Sequence, residues 1–459
     1  MTIDEKTGMS PSGGDVFRAG AAAVDITPPI GVDMAGYRCV RRVEGVHDPL
    51  MARALVLEKS GIHFAMIGLD LLYFSRKQAT PVLWRIEEEC GIPNECVMYW
   101  ATHTHTGPSI GDEVLPAIPD ATYMNFLQKG IVRAVRKAKE NLQPTRCRTA
   151  RGRETSVSFN RRAARRGRPS RRAKNELVSL LRDGVFPSPE GGCNSEFYQQ
   201  ASCIDPDIFV LQVSDYKGSA IATVVNFALH CDTVGGNIVS AGYPHFLEQY
   251  LQKNNEGVGV FLFANGCCGD INHLDPAKAS RKGFGKALKI GETLGKEVVR
   301  VLKKANVLNS PDFCMARETL NIARRRIRPD ELEAAREYVR RSTKTDEGVA
   351  RYYAEDILCL DKAPEIIPTL VTAFRVGSVA FVGLPGEVFV ELGIEIKQRS
   401  PFDQTVIVEL ANDFVGYIPT QAAFSDGGYE TLTARASCLC QEAGDMFVDS
   451  AIGLLKQLR

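Results

Sequence analysis

Two histidines in the run Ala-Thr-His-Thr-His-Thr-Gly-Pro, His103 and His105, point most directly to chemistry in this chain. They follow the apolar stretch 96–100 and precede a Gly107-Pro108 turn, a pattern that predicts a buried strand running out into a loop. Side chains two apart on a strand point the same way, so both imidazoles would enter one cleft. Imidazole is a common zinc ligand, so the run is open to two interpretations: a metal site, or hydrogen-bonded structural histidines near a turn.

A catalytic zinc needs further protein ligands, and two other positions have a similar placement. His230 follows the apolar run 224–229 and precedes a glycine-rich loop. Glu387 lies in Gly-Leu-Pro-Gly-Glu, directly after the apolar run 379–382. Candidate ligands at strand ends, far apart in sequence, are what a site on a sheet edge requires. The alternative for Glu387 is an exposed acid at the start of a helix.

Strands and helices must position these residues. Apolar and β-branched runs predict strands at 54–57, 64–67, 208–213, 220–227, 258–263, 371–376, 379–383 and 405–410. Helical spacing of apolar residues predicts helices at 81–90, 121–142, 278–304, 329–342 and 441–458. The elements alternate irregularly and include direct strand pairs. This order predicts an α/β (or α+β) fold with mixed β-sheets flanked by helices.

The length and amino-acid composition are those of an ordinary globular protein. It has 459 residues, of which 44% are apolar and 24% charged. We find no internal repeat and no central linker, so we expect a disordered tail at 1–16 and a single domain over 17–459. The net charge of +1 gives no general attraction to nucleic acid or to an anionic membrane.

Location and redox state are predicted from what the sequence lacks. No apolar stretch is long enough for a membrane span, and the polar start lacks the apolar core of a secretion signal. We therefore expect a cytoplasmic protein. The 13 cysteines show no framework spacing, which predicts reduced thiols. Cys267 and Cys268 are interpreted as packing residues.

One segment is strongly biased in composition. Residues 161–174 are rich in arginine, and a stretch rich in Glu, Gly and Pro follows as far as residue 195. A run of like charge favours a solvated loop, so we predict a basic loop insertion at about 161–195. The alternative is a cap that attracts an anionic substrate or polyanion toward the site.

Several motifs, in order along nearly the whole chain, resemble the catalytic domain of neutral/alkaline ceramidases and their shorter bacterial relatives. These motifs are Val24–Pro28, His47–Val56, Thr102–Pro108, Asn226–His230, Gly266–Asn272, Leu384–Glu387, Tyr417 and Tyr429. The resemblance implies a ceramidase-like catalytic domain and an amidohydrolase-type enzyme that uses zinc. It implies four metal ligands in this chain: His103, His230, Glu387 and Tyr417.

The resemblance also implies the residues that act on the substrate. Tyr429 lies twelve positions after Tyr417 and would contact the reacting carbonyl, and Arg161 would lie in the substrate region. His105 is the candidate proton shuttle, because imidazole titrates near neutrality. Asp70 either orients a metal-bound histidine or caps a local turn.

Three departures separate this chain from ceramidases. Asn272 replaces the serine of the Gly-Asp-x-Ser-Pro-Asn segment; asparagine can donate a hydrogen bond but cannot act as a hydroxyl nucleophile. The chain ends soon after the last predicted helix, so we expect no immunoglobulin-like C-terminal domain, and no export signal is visible. Fold and cofactor therefore transfer better than substrate does.

Three hypotheses for function follow. The first is a zinc-dependent hydrolase that cleaves an amide, or an ester or lactone, in a small polar substrate. In one version of this hypothesis the substrate is anionic. The second is a true ceramidase acting on N-acylsphingosine. The third is a non-catalytic protein that binds an anionic partner through the arginine-rich loop. The sequence does not indicate an oligomeric state.

Overall fold

The fold is known from a computed structural model. It describes residues 16–111, 117–162, 164–165, 176–183, 198–199, 203–254, 257–275, 281–308, 311–342 and 348–459. The first fifteen residues of the predicted tail lie outside this part of the chain. The boundaries of the predicted single domain remain a prediction.

In the described part of the chain, nine strands form the larger sheet. They are β1 (Arg18–Asp25), β2 (Met51–Lys59), β3 (Ile62–Leu69), β4 (Val97–Ala101), β5 (Gln143–Arg153), β6 (Asp207–Asp215), β7 (Ala220–Phe227), β8 (Val260–Asn265) and β9 (Asn306–Leu308). Their order across the sheet is β8-β7-β6-β5-β1-β2-β3-β4, and β9 pairs with β5 off this path. The pairs β7/β8 and β3/β4 are parallel, whereas the other pairs are antiparallel. The sheet is therefore mixed.

Four strands of the described residues form the second sheet. They are β10 (Phe313–Ala323), β11 (Ile366–Val376), β12 (Val379–Gly383) and β13 (Gln404–Val408), in that order. The pair β12/β13 is parallel and the other two pairs are antiparallel. Phe64 of the larger sheet stacks on Phe374 of the second at a ring-centroid distance of 3.5 Å. One apolar core therefore joins the two sheets.

Helices flank the two sheets. They are α1 (Arg76–Cys90), α2 (Ala121–Glu140), α3 (Glu176–Asp183), α4 (Tyr243–Lys253), α5 (Phe284–Leu302), α6 (Pro329–Arg341), α7 (Val349–Leu360), α8 (Val390–Arg399) and α9 (Ala443–Gln457). Helices α1 and α2, together with α4 and α5, share buried clusters with the larger sheet. Helices α8 and α9 pack on the second sheet. The layers therefore run helix, sheet, sheet, helix.

Burial of both faces explains why the central strands have nearly continuous apolar runs. On β2, Leu55 and Leu57 face the second sheet, whereas Ala54 and Val56 face α1 and α2. The predicted α/β class with mixed sheets is confirmed. Among the helices, α2 begins as predicted, because the side chain of Asp120 accepts a hydrogen bond from the backbone N–H of Tyr123.

The structure differs from the sequence prediction in two respects. Strands β1, β5 and β10 and helices α4, α7 and α8 were not predicted. Strand β5, for example, carries an arginine at every second or third position, which hides its half-buried alternation. Within the predicted loop insertion 161–195, α3 is a helix, and its Leu177, Leu180 and Leu181 are buried against α6 and α7. Most of the arginine-rich segment, residues 163 and 166–174, lies outside the described residues.

Candidate metal centre

His103 lies two residues beyond the end of β4, where the chain leaves the sheet. Its backbone has φ 64°, a left-handed conformation that non-glycine residues rarely adopt. The Nδ1 of His103 lies 2.7 Å from the carbonyl oxygen of Leu72, and a carbonyl only accepts, so Nδ1–H is the donor. The strained backbone and this hydrogen bond together direct the free Nε2 lone pair into the site.

His230 and His105 complete a cluster of three imidazoles. His230 follows β7, and its Nδ1 lies 3.3 Å from the carbonyl oxygen of Cys268. The Nε2 of His103 lies 3.1 Å from that of His230 and 3.3 Å from that of His105. The Nε2 atoms of His105 and His230 are 3.0 Å apart. His103 and His230 are buried and His105 is partly buried, and the three imidazoles meet at one point.

Glu387 brings a carboxylate to the same point from the second sheet. It lies just after β12, in a two-residue strand that pairs in parallel with Tyr417-Ile418, opposite Tyr417 itself. Its Oε2 is 3.4 Å from the Nε2 of His103. The neighbouring Tyr417 phenol, together with His103, helps to lower the pKa of the Glu387 carboxyl. The backbone at Gly269 packs so closely against that of Glu387 that a Cβ at position 269 would lie 2.4 Å from the Glu387 carbonyl oxygen.

These residues fit a zinc ion. Nitrogens bound about 2.0–2.1 Å from one tetrahedral zinc lie about 3.3 Å apart, close to the distances observed between the imidazoles. With Nδ1 protonated on His103 and His230, their facing Nε2 atoms are both acceptors, so they need a cation between them. Within the described part of the chain, the Oε2 of Glu387 is buried and has no hydrogen-bond partner. An unpartnered buried carboxylate oxygen beside facing lone pairs is the donor set that zinc prefers.

Burial and mutual charge set the pKa values of the cluster. Burial lowers the pKa of His230 well below its ordinary value and that of His105 to about 3. Burial also lowers the pKa of His103, but the Glu387 carboxylate outweighs this and raises it. Burial raises the pKa of Glu387, but His103 outweighs this and lowers it. Without a cation between the imidazoles the pair therefore favours its charged forms, and a bound metal ion would take the place of the His103 Nε2 proton. A pKa near 3 does not match the near-neutral titration expected of His105 as a proton shuttle.

Tyr429 and Arg161 lie together on one side of the cluster. The rings of Tyr429 and Tyr417 meet edge to face at a centroid distance of 5.8 Å, and the Arg161 guanidinium lies 5.2 Å from the centre of the Tyr429 ring. Burial raises the pKa of Tyr429, so its phenol keeps its proton at neutral pH. Arg161 is fixed by Nε to Glu430 at 3.0 Å and by a hydrogen bond to the Gly269 carbonyl oxygen. The chain thus presents a phenol O–H and a positive charge beside the metal ligands.

A second charged group lies beside His105. Asp232 pairs with Lys282 at 2.7 Å and accepts a hydrogen bond from the Tyr37 hydroxyl. Its Oδ1 is 3.9 Å from the Nδ1 of His105, a nitrogen for which the described residues supply no hydrogen-bond partner. Arg41 donates to the carbonyl oxygen of His105 at 2.7 Å. Polar and charged groups therefore surround this imidazole.

Asp70 and Asn272 make local contacts away from the metal ligands. Asp70 does not orient a metal ligand: it pairs with Arg53 and accepts from the backbone N–H of Met51, while His103 uses the Leu72 carbonyl. Asn272 uses its Oδ1 to accept from the backbone N–H of His273 at 2.6 Å, so this oxygen caps a local turn. Its predicted role toward the substrate stays a prediction.

Sequence reasoning missed the residues that support His230. The backbone carbonyl of Cys268 receives the His230 Nδ1–H, and the Cys268 thiol lies 2.7 Å from Oε1 of buried Glu409. Cys268 is therefore more than the packing residue predicted. His273 was also missed: it is fully buried, and neither of its ring nitrogens has a hydrogen-bond partner among the residues that the structure describes. The vicinal cysteines gave no local signal for this arrangement, because Glu409 comes from a distant segment.

The fold and the site define an α/β protein with a buried histidine and carboxylate centre suited to a metal. Residues 17–175 match the family model described as neutral/alkaline non-lysosomal ceramidase, N-terminal. The chain is 23% identical to the neutral ceramidase of Pseudomonas aeruginosa, over 96% of this chain and 72% of that protein. The predicted resemblance to this family is confirmed.

Two further comparisons define how far the likeness extends. Neutral ceramidases A and B of Dictyostelium discoideum are 24% and 25% identical, over 54% and 56% of this chain but only 34% and 35% of their own length. The crystal structure of the Pseudomonas aeruginosa neutral ceramidase superposes with a TM-score of 0.68 at 21% identity, covering 96% of this chain and 75% of that one. This superposition establishes the fold. No helix in the described part of the chain has the length and apolar character needed to cross a bilayer.

Proposed function

We propose that this chain is a zinc-dependent hydrolase that cleaves an amide bond. The observation that carries the proposal is the convergence of three imidazole Nε2 atoms within 3.0–3.3 Å of one another, beside an unpartnered buried carboxylate oxygen. The residues that would hold the ion are His103, His230, Glu387 and Tyr417. Bound zinc would supply Lewis acidity, which activates water near neutral pH and polarises a carbonyl group.

The protein's own residues prepare this centre. The hydrogen bonds from Nδ1 of His103 and His230 to carbonyl oxygens fix the ring orientations and leave Nε2 unprotonated. Glu387 adds one negative charge in a region from which water is largely excluded, so its attraction to a cation is strong. His105 completes the wall of the centre as a neutral imidazole.

Tyr429 and Arg161 would stabilise negative charge on the reacting carbonyl oxygen. The Tyr429 phenol keeps its proton, because burial raises its pKa, and can therefore donate a hydrogen bond. The Arg161 guanidinium lies against the same ring and keeps a positive charge nearby. Donors fixed before the reaction begins stabilise a developing oxyanion without reorganisation cost.

The surroundings of the centre favour a small polar substrate over a lipid. Asp232, Lys282 and Tyr37 lie on the His105 side, and Arg161 and Glu430 lie on the Tyr429 side. Charged groups next to a cleft are compatible with a polar substrate, and the cationic ones with an anionic group on it. An acyl chain against these groups would desolvate them without supplying hydrogen bonds.

A true ceramidase is the second candidate. The observation that favours it is the alignment of 96% of this chain with a protein named neutral ceramidase. The observation against it is Asn272, which stands where ceramidases carry a serine. A comparison of substrates therefore decides between the two.

The test uses the full chain loaded with one equivalent of zinc. Release of free amine is measured with N-acetyl amino acids as polar amides and with a short-chain ceramide as the lipid amide. We expect turnover of polar amides at a kcat/KM well above that of ceramide. A higher kcat/KM for ceramide would select the second candidate, and no amine from either class by a zinc-loaded protein would refute amide hydrolysis.

Two expectations remain to be tested. The alternative of a non-catalytic protein that binds an anionic partner depends on the arginine-rich loop, most of which lies outside the described residues. A purified protein without zinc would favour it. We also propose a cytoplasmic location, which imaging of the tagged full-length chain would test.

A further inference from the structure

Glu409 is a fully buried acid directly after β13, beside the candidate metal centre but outside the set of proposed ligands. Its Oε2 accepts hydrogen bonds from the backbone N–H of Cys268 at 2.9 Å and from that of Val388 at 3.1 Å. These two donors are 141 and 21 positions away along the chain. A single carboxyl oxygen therefore joins two segments that are remote in sequence.

The first segment orients His230. The Cys268 carbonyl oxygen lies 3.3 Å from Nδ1 of His230 and fixes the direction of that ring. The peptide that contains this carbonyl also contains the N–H of Gly269, which donates to the Val388 carbonyl oxygen at 2.8 Å. Because a peptide unit is planar, its N–H and its C=O move together. A displacement of this peptide would therefore turn the His230 imidazole.

The second segment carries the proposed ligand Glu387. The N–H of Glu387 donates to the Gly416 carbonyl oxygen at 2.9 Å, which fixes the peptide before its Cα. The N–H of Val388 belongs to the peptide after this Cα, and Glu409 fixes that peptide. The two bonds together set the direction in which the Glu387 side chain leaves the backbone. Glu409 therefore supports one ligand through its backbone and another through the Cys268 carbonyl.

The alternative is that Glu409 only satisfies two buried N–H groups, as buried acids commonly do. Asp413 shows this simpler arrangement four positions further along the chain. It is buried, and its Oδ1 accepts from the backbone N–H of Arg76 at 2.9 Å and of Phe414 at 2.8 Å. Neither of these donors is within two residues of a proposed ligand. Both donors of Glu409, by contrast, adjoin groups of the metal centre.

We propose that Glu409 is a positioning residue of the metal centre, which holds the Cys268 carbonyl and Glu387 at the separation that one ion requires. This inference rests on the proposed zinc-dependent function. The Cys268 thiol lies 2.7 Å from Oε1 and keeps the carboxyl group in its orientation. Ligands held in place before binding need no rearrangement to accept the ion, so loss of this support should lower the affinity for zinc.

Two substitutions of Glu409 in the full chain test the proposal. Zinc affinity is measured by competition with a chromophoric chelator, and ligand geometry by the visible absorption of the cobalt-loaded protein. Glu409→Met supplies an unbranched apolar side chain of similar length and should weaken zinc binding by about 10- to 100-fold, with an altered cobalt spectrum. Glu409→Gln keeps an oxygen that can accept both N–H groups, so its zinc affinity should stay within about threefold of that of the unsubstituted chain.

Asp413→Leu is the matched control, because it also removes one oxygen that accepts two backbone N–H groups. It should lower the urea midpoint of unfolding much as Glu409→Met does, while zinc affinity and the cobalt spectrum stay unchanged. Glu409→Asp covers the case in which Glu409→Met does not fold. It keeps the carboxyl group but withdraws it by one carbon–carbon bond, about 1.5 Å, and should also weaken zinc binding.

Four results would overturn the inference. The first is an unchanged zinc affinity and cobalt spectrum in Glu409→Met, or in Glu409→Asp if the former does not fold; the proposed metal centre itself would then stand. The second is an equal loss of affinity in Asp413→Leu, because general destabilisation would then explain both variants. The third is a loss in Glu409→Gln as large as that in Glu409→Met. The fourth, no zinc binding by the unsubstituted chain, would overturn the proposed function as well.

Discussion

Glu430→Gln should destabilise the protein and lower its activity without removing zinc. The buried Glu430 carboxylate accepts from Arg161 Nε and from Arg162 Nη1, each at 3.0 Å. Arg162 also donates to the carbonyl oxygens of Ala423 and Gly427, so Glu430 links this turn to the segment that carries Arg161. Glutamine has the same shape, but its amide NH₂ is a hydrogen-bond donor. At one of the two arginines a donor would therefore face another donor.

The expected cost follows from the burial of the group. One charge-assisted hydrogen bond is lost, and the guanidiniums of Arg161 and Arg162 lose their shared counter-charge, which together should lower the free energy of unfolding by about 2–4 kcal/mol. Glu355→Gln is the matched control. Its ion pair with Arg351 spans 2.8 Å on α7, but the Glu355 side chain is 49% exposed, so the loss should stay below about 0.5 kcal/mol.

Three measurements on the same preparations test this reasoning. Urea unfolding gives the free energy, metal analysis gives the zinc content, and amine release gives kcat. We expect a lower kcat, because Arg161 and the neighbouring Tyr429 lose their fixed positions, with zinc still at one per chain. A stability loss no greater than that of Glu355→Gln, or a loss of zinc, would refute this reasoning. It would show that Glu430 does not position Arg161 and Tyr429 independently of the metal ligands.

Three further predictions follow from the site. Tyr429→Phe should keep zinc and lower kcat by about 10²- to 10³-fold, the cost of one oxyanion donor; an unchanged kcat would contradict its role. His105→Ala should keep one zinc per chain, since the four proposed ligands remain, and its kcat should fall. Zinc analysis of the variant decides whether His105 is a ligand. Burial raises the pKa of Glu409 from 4.5 to about 8, so the folded state keeps a proton that the unfolded state loses, and the stability of the zinc-free protein should fall as pH rises from about 4.5 to 8. Glu409→Gln should abolish this contribution, as urea unfolding at several pH values will show.

The sequence predicted the part of the centre that follows from strand ends. His103, His230 and Glu387 each come directly after a buried apolar run, and such runs end at a sheet edge, so their convergence was open to prediction. Tyr417 gave no such signal. Its place depends on a two-residue parallel pair with Glu387, which no local pattern encodes, and only the resemblance to ceramidases identified it.

Long-range contacts explain most of what the sequence did not predict. The Cys268 thiol meets Glu409, which is 141 positions away, so the vicinal cysteines looked like packing residues. The pKa of His105 is low because of burial, which a residue near a Gly-Pro turn does not indicate. Strand β5 was missed because its arginines are spaced as in a polar segment, although its Cys147 and Thr149 are buried.

The zinc content of purified full-length protein and its histidine variants tests the central claim most directly. We expect one zinc per chain in the unsubstituted protein and in Tyr429→Phe, and almost none in His103→Ala and His230→Ala. A zinc-free protein that takes up no zinc on incubation, or full zinc retention by both histidine variants, would contradict the account.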